Sequence, residues 1–368
     1  MGVPSQVAIA LKPSTMKASV RTPCNLTLTC TEVQNIQHMK IPLEEIRSAI
    51  RHFANPHKTD KVYKAVLSHF NVDKYVAENK IKRVSNEEIL EYPRRKSTVA
   101  IKSIYGGNGQ RIEDLFQTLL GLSHENLVKL VGFCDDDDER IHVVYEYASN
   151  GSLGEYIQSQ HIIQRHKNER NMFPWVMRLQ FCLEATRGLN FLHNSNNQTI
   201  IHGNIKSSNI LISRDGVGMI GDFGLSTNEY SDTHRLTKKY DVYSFGLVLF
   251  EVMSGRLTHF KISKDDPELL PDIVKNGFNQ RKLNDIIDPM LKQEFDTYRA
   301  SLIGDRSAES LNIFADIAYR CFQEEVEGRP TMVDIVKELE KAYRIHVESL
   351  KQRQEDEDIS KVIISILR

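Results

Sequence analysis

His202-Gly203-Asn204-Ile205-Lys206-Ser207-Ser208-Asn209 runs straight into Ile210-Leu211-Ile212, and thirteen residues after Asn209 comes Asp222-Phe223-Gly224. The apolar triplet reads as a short strand behind a polar loop. Within that loop Asn204 is the informative side chain. A carboxamide has no basic lone pair near neutral pH, so Asn204 can hold a hydroxyl group but cannot take its proton.

Upstream of this loop the pattern changes from helical to strand-like. Thr98-Val99-Ala100-Ile101-Lys102-Ser103-Ile104 is β-branched and alternating, and Lys61–Val66 alternates in the same way. Strands are also expected at Leu127–Phe133 and Ile141–Tyr147, with the acidic run Asp135–Glu139 as a solvated turn between them. A helix is expected over residues 111–122, where Ile112, Leu115, Phe116, Leu119, Leu120 and Leu122 have helical spacing. Ile41-Pro42-Leu43-Glu44-Glu45-Ile46 opens an amphipathic helix to Phe53, with Pro42 suited to its first turn. Residues 1–39, rich in Ser, Thr and Val without helical or strand period, read as a disordered arm. Residues 68–97 are highly charged and read as an exposed insertion. Beyond residue 151 the chain is mostly helical, with a basic polar loop at 161–171. The tail ends in the apolar run Val362–Leu367, either a partner-binding element or the stub of something longer.

The composition excludes several classes. A formal net charge of −1 gives no general attraction for nucleic acid or membrane surfaces. The five cysteines are scattered without a CxxC pair, so neither a disulfide framework nor a zinc site is expected, and a reducing, cytoplasmic setting fits. No stretch has the apolar length of a membrane span. Met1-Gly2 begins a myristoylation pattern that fails at Gln6. Peripheral attachment at the plasma membrane, through acylation of Cys24 or Cys30, stays open beside two free thiols.

Several further motifs occur in a fixed order: Val99-Ala100-Ile101-Lys102, Leu122-Ser123-His124-Glu125-Asn126-Leu127-Val128, Tyr145-Glu146-Tyr147, Asn150-Gly151-Ser152-Leu153, Asp241-Val242-Tyr243-Ser244-Phe245-Gly246 and Gly328-Arg329-Pro330. With the loop at 202–209 and Asp222-Phe223-Gly224, they make the chain resemble plant receptor-like cytoplasmic Ser/Thr protein kinases from about Ile41 to Tyr343. The resemblance implies an α+β, two-lobed kinase fold, with a small β-rich N-lobe (about 41–147) and a larger helical C-lobe (about 148–343). A tail at 344–368 follows. It implies ATP and Mg2+ as cofactors. Lys102 would meet the α- and β-phosphates, and Asn209 and Asp222 would hold the metal. Lys206 would lie near the γ-phosphate. Val62, Ala100 and Leu211 would clamp adenine, with Tyr145 as gatekeeper and Tyr147 and Ala148 as hinge. Protein partners, an active receptor-like kinase among them, are implied as well.

Against that pattern the chain departs at several places. Gly203 and Asn204 stand where the family has Arg and the catalytic Asp, which accepts the proton of the attacking hydroxyl. No glycine lies between Gly2 and Gly106, so the phosphate-covering Gly-rich loop before Val62 is missing; Lys58 or Lys61 would be a looser electrostatic substitute. The acid expected on the helix to pair Lys102 falls on Leu115, beside Glu113 and Asp114. Only nineteen positions separate Asp222 from Asp241, and no proline occurs from Trp175 to Asp266, so the A-P-E platform is absent. Arg329 thereby loses its usual partner, and exposure or a replacement partner is expected. The expected function is a pseudokinase serving as a regulatory or scaffold module with weak ATP binding. The alternatives are a weakly active Ser/Thr kinase and a truncated or mis-spliced kinase.

Overall fold

The computed structural model describes residues 36–53, 62–71, 74, 93–105, 119, 122–135, 140–166, 173–194, 199–223, 237–258, 286–299 and 306–367. A single 3-10 turn, Ile36–Met39, leads into helix α1, Leu43–Phe53. Strands β1 (Val62–Phe70), β2 (Arg94–Tyr105), β3 (Leu130–Cys134) and β4 (Arg140–Glu146) form an antiparallel sheet in the order β1-β2-β4-β3. Helices α2 (Leu153–His166) and α3 (Trp175–Asn194) follow, then the hairpin β5 (Ile210–Ile212) and β6 (Gly218–Ile220). The chain continues through α4 (Lys238–Ser254), α5 (Pro289–Arg299), α6 (Arg306–Cys321) and α7 (Met332–Leu367).

Alternation divides the sheet into two faces. Ala65, Leu67, Val99, Ile101 and Val144 are buried with Ile41 and Ile46, so α1 covers one face. The register sets Val62 opposite Lys102, Lys64 opposite Ala100, and Ala100 opposite Tyr145. Residues in register share a face, so Val62, Lys64, Ala100, Lys102 and Tyr145 lie together on the other one. Gly132 permits the approach of α1's leading residues, since a Cβ there would meet Ile41 Cδ1 at 2.6 Å.

The helical lobe is built on α3 and α4. Trp175, Leu179, Phe245, Leu249, Phe314 and Ile335 belong to its core. Arg178, fully buried, donates to Phe173 O (2.8 Å), Val252 O (2.6 Å) and Asp288 Oδ2 (2.6 Å), tying α3 to the end of α4 and the start of α5. A buried guanidinium is tolerable only with this degree of satisfaction.

Several expectations need correction. Residues 36–39 form a turn with Met39 buried, and 1–35 lie outside the described residues. Residues 68–70 and 94–97 belong to paired strands, not to an insertion: Phe70 faces Arg94, and His69 and Phe70 are buried. Their charge pattern hid this because only one face of the hairpin is covered. Residues 161–166 continue α2, which meets no Gly or Pro after Gly154 before Pro174. Leu127–Lys129 precedes β3 because its backbone is used elsewhere: Val128 N–H donates to Ile220 O (2.9 Å). The tail from Tyr343 continues α7 unbroken, with Ile345, His346 and Ser349 still buried. Of the helix expected at 111–122, only Leu119, buried and helical, and Leu122 are described, so Glu113, Asp114 and Leu115 lie outside. Of the acidic run only Asp135 is described, paired with Lys40 at 2.7 Å.

Candidate active site

The loop at 202–209 is held from below by one carboxylate. Asp241, fully buried in the first turn of α4, accepts from His202 N–H (2.8 Å), Gly203 N–H (2.8 Å) and His193 Nε2 (2.8 Å). An anion in the first turn of a helix is electrostatically favoured. His202 is buried, and desolvation lowers its pKa, against the opposing pull of Asp241. The neutral ring matches its hydrogen bonds: Nε2–H donates to Gly221 O (2.9 Å), leaving Nδ1 to accept Asn204 N–H (3.2 Å). Gly203 sits at φ 75°, a left-handed backbone that glycine adopts freely.

Asn204 therefore has a fixed backbone and an exposed side chain. A 3-10 turn, Ser207–Asn209, follows, with Asn209 N–H donating to Lys206 O at 2.9 Å. Asn209 Nδ2 reaches Asn204 O (2.9 Å) and Asp222 Oδ2 (3.4 Å). Lys102 forms an ion pair with Asp222 Oδ1. Asp222 is the sole non-glycine residue at positive φ (65°) among the described residues. Strain of this kind gathers at functional sites, and Phe223, buried beside it, keeps the turn in place.

The structure thus brings together Lys102, Asn204, Asn209 and Asp222. It sets Val62 and Ala100 on the sheet face that carries Lys102, with Val62 exposed. Tyr147 and Ala148 follow the end of β4, and Leu211 lies half-buried in β5. Lys206 flanks the turn through its carbonyl. Four features went unforeseen. Lys102 is paired with Asp222, whereas the sequence, with Leu115 at the helix-acid position, left it without a partner. Lys64 lies over the Tyr147 ring at 4.4 Å; alternation along β1 gives the face of Lys64 but not this distant partner. Tyr145 is buried with an unpartnered hydroxyl, and burial, then the Asp222 charge, pushes its phenol pKa up. The Asp241 clamp was also missed, since the sequence marks Asp241 only as a helix start. Arg329 is repaired as expected: it donates to Gln323 O (2.8 Å) and Lys239 O (3.1 Å) and stacks on Tyr243.

The donor chemistry suits a nucleotide with a hard cation. Asp222 and Asn209 supply the oxygen ligands such an ion prefers, Lys102 supplies positive charge for phosphate, and Val62 and Ala100 an apolar wall. A β-sheet lobe bearing a lysine, set against a helical lobe bearing this loop, defines a protein kinase domain, a class that in general uses ATP and Mg2+. Residues 73–237 match the family described as protein tyrosine and serine/threonine kinase. The domain is of the receptor-like kinase type. Among similar Arabidopsis thaliana proteins, a probable receptor-like protein kinase is 33% identical across 71% of this chain and 31% of its own length. Receptor-like protein kinase ANXUR2 is 33% identical across 67% and 29%, and receptor-like protein kinase FERONIA 31% identical across 62% and 26%. The chain spans about a third of the length of the curated relatives it matches. Among the described residues no helix is long and apolar enough to cross a membrane.

Proposed function

We propose that this chain is a pseudokinase: a kinase-fold signalling module that binds nucleotide weakly and acts on protein partners, an active receptor-like kinase being the expected class, from the cytoplasmic side. One observation carries this reading. The loop is built and clamped, yet the side chain it presents at the base position is the carboxamide of Asn204, which accepts no proton. The missing glycines before Val62 and the short stretch between Asp222 and Asp241 add to it. Each such loss costs on the order of 10²-fold in rate.

Lys102, Asn209 and Asp222 are the residues that would hold ATP phosphates and Mg2+, and their survival favours weak nucleotide binding. The same trio supports a second reading, a weakly active Ser/Thr kinase, because phosphoryl transfer is largely electrostatic. Two measurements on the purified chain separate them. A radiolabelled-ATP assay is expected to show no peptide phosphorylation above background; turnover at ordinary kinase rates, abolished by Asp222→Ala, would overturn the pseudokinase reading. Thermal shift with Mg2+-ATP is expected to give a small stabilisation that Lys102→Ala with Asp222→Ala removes. A large stabilisation surviving both substitutions would place nucleotide elsewhere.

A further inference from the structure

Helices α3 and α7 leave a cavity of about 260 Å³ between them. Its walls follow from helical spacing. Gln180, Leu183, Glu184 and Arg187 recur at i, i+3, i+4 and i+7 on α3, and Glu340 and Tyr343 are three apart on α7, so each set shares one face. Leu183 is buried and gives an apolar floor, and the half-buried Tyr343 gives a ring. Pockets for drug-sized molecules run to roughly 300–1,000 Å³. This one is smaller, and it suits a single long side chain.

The charge of the lining is unbalanced. Two carboxylates stand there with one guanidinium, and that guanidinium is engaged at the rim: Arg187 Nη2 donates to Glu340 Oε1 at 2.8 Å. Glu184, half-buried, receives neutral donors, Gly218 N–H at Oε2 (2.6 Å) and Gln180 Nε2 at Oε1 (3.0 Å). An ionised carboxylate has about four acceptor sites, so each oxygen keeps room for another donor. Burial raises the Glu184 pKa and the Glu125 charge adds to it, despite both hydrogen bonds and Arg187. Its negative charge is therefore undercompensated.

We propose that this cavity receives an arginine side chain of a partner protein. A guanidinium fork matches the two remaining acceptor positions of Glu184, where an ammonium would act as a point charge. Its plane lies on the Tyr343 ring, and its stem covers Leu183. Glu340 holds Arg187 aside and so shields the incoming cation from a like charge. The partner's backbone stays outside, because the cavity has room for the side chain alone. None of this depends on whether the loop at 202–209 binds nucleotide or turns over.

Gly218 opens β6 and donates to Glu184, so its amide reports on the cavity. The test is an NMR titration of the full chain carrying isotope-labelled glycine. Nα-acetyl-arginine methylamide, blocked at both ends like a residue within a chain, is expected to shift the Gly218 signal saturably at about millimolar concentration. The citrulline and lysine analogues, blocked in the same way, are expected to bind about tenfold more weakly. Glu184→Gln keeps an acceptor for Gly218, and it is expected to weaken the arginine compound about tenfold or more. Tyr343→Leu is expected to weaken it several-fold. An unmoved Gly218 signal would overturn the proposal. So would equal binding of the citrulline analogue, or unchanged affinity in Glu184→Gln. Tighter binding of free arginine than of the blocked compound would overturn it too, by giving the cavity to a small molecule.

Discussion

Asn204 differs from an aspartate by one atom's identity, and its surroundings would accept either: the side chain is exposed, and the backbone is fixed by His202 Nδ1 and Asn209 Nδ2. Asn204→Asp should therefore fold normally and regain a proton acceptor. It is nonetheless expected to leave autophosphorylation within about tenfold of wild type, because positioning terms, worth roughly 7–11 kcal/mol in well-oriented reactions, are not recovered by basicity. A gain of several hundredfold in the single variant would show that the glycine-free approach to Val62 and the short 222–241 stretch are tolerated. Gly203 carries a related lesson. Its replacement of the family's Arg was legible as a loss, while its structural sense was not: the position has φ 75°, and a side chain there carries a left-handed cost of about 1–2 kcal/mol.

At the level of elements, the end of α4 depends on a single glycine. Gly255 caps the helix at φ 68°, and a Cβ there would meet Asp288 Oδ2 at 2.7 Å, the same oxygen that Arg178 holds. Gly255→Ala combines backbone strain with disturbance of a buried ion pair, so a loss of about 2–4 kcal/mol is expected by urea unfolding. A loss below about 0.5 kcal/mol, the size of an ordinary surface change, would mean that α4 ends without this cap. The elements that could be read in advance were those with a strong period or a marker: α1 from Pro42, β2 from its β-branched run, β4 from Ile141 onward. Boundaries were lost where long-range pairing decides them. Phe70 belongs to a strand because Arg94 lies across from it, and nothing within residues 68–97 records that partner. The candidate site followed the same rule. Lys102, Asn209 and Asp222 were legible from ordered motifs, whereas the Asp241 clamp and the Lys64–Tyr147 contact arise from residues distant in the chain.

For the whole molecule, histidines partly or wholly withdrawn from water limit stability in acid: His69 and His202 are buried and His124 is half-buried. His69, His124 and His202 all have lowered pKa values, with desolvation first among the causes. Above the unfolded value near 6.5 both states hold these rings neutral, and nothing is gained or lost. Below it the unfolded chain takes up protons that the folded chain refuses, so stability falls as pH drops from about 7 toward 5. Glu184, whose pKa is raised mainly by burial, acts the other way, and only nearer the carboxylate range. Urea midpoints at pH 7.5, 6.5 and 5.5 should decrease in that order; a flat series would show that these rings protonate within the fold. A last consequence follows from the Asp241 clamp. Every bond in it joins α3, α4 and residues 202–203, so none runs through the stretch that ordinarily reports phosphorylation. Among the described residues the loop is held by these buried C-lobe contacts. In information terms it is a fixed reference surface, its shape written by buried groups rather than by the exposed side chain of Asn204 that it presents.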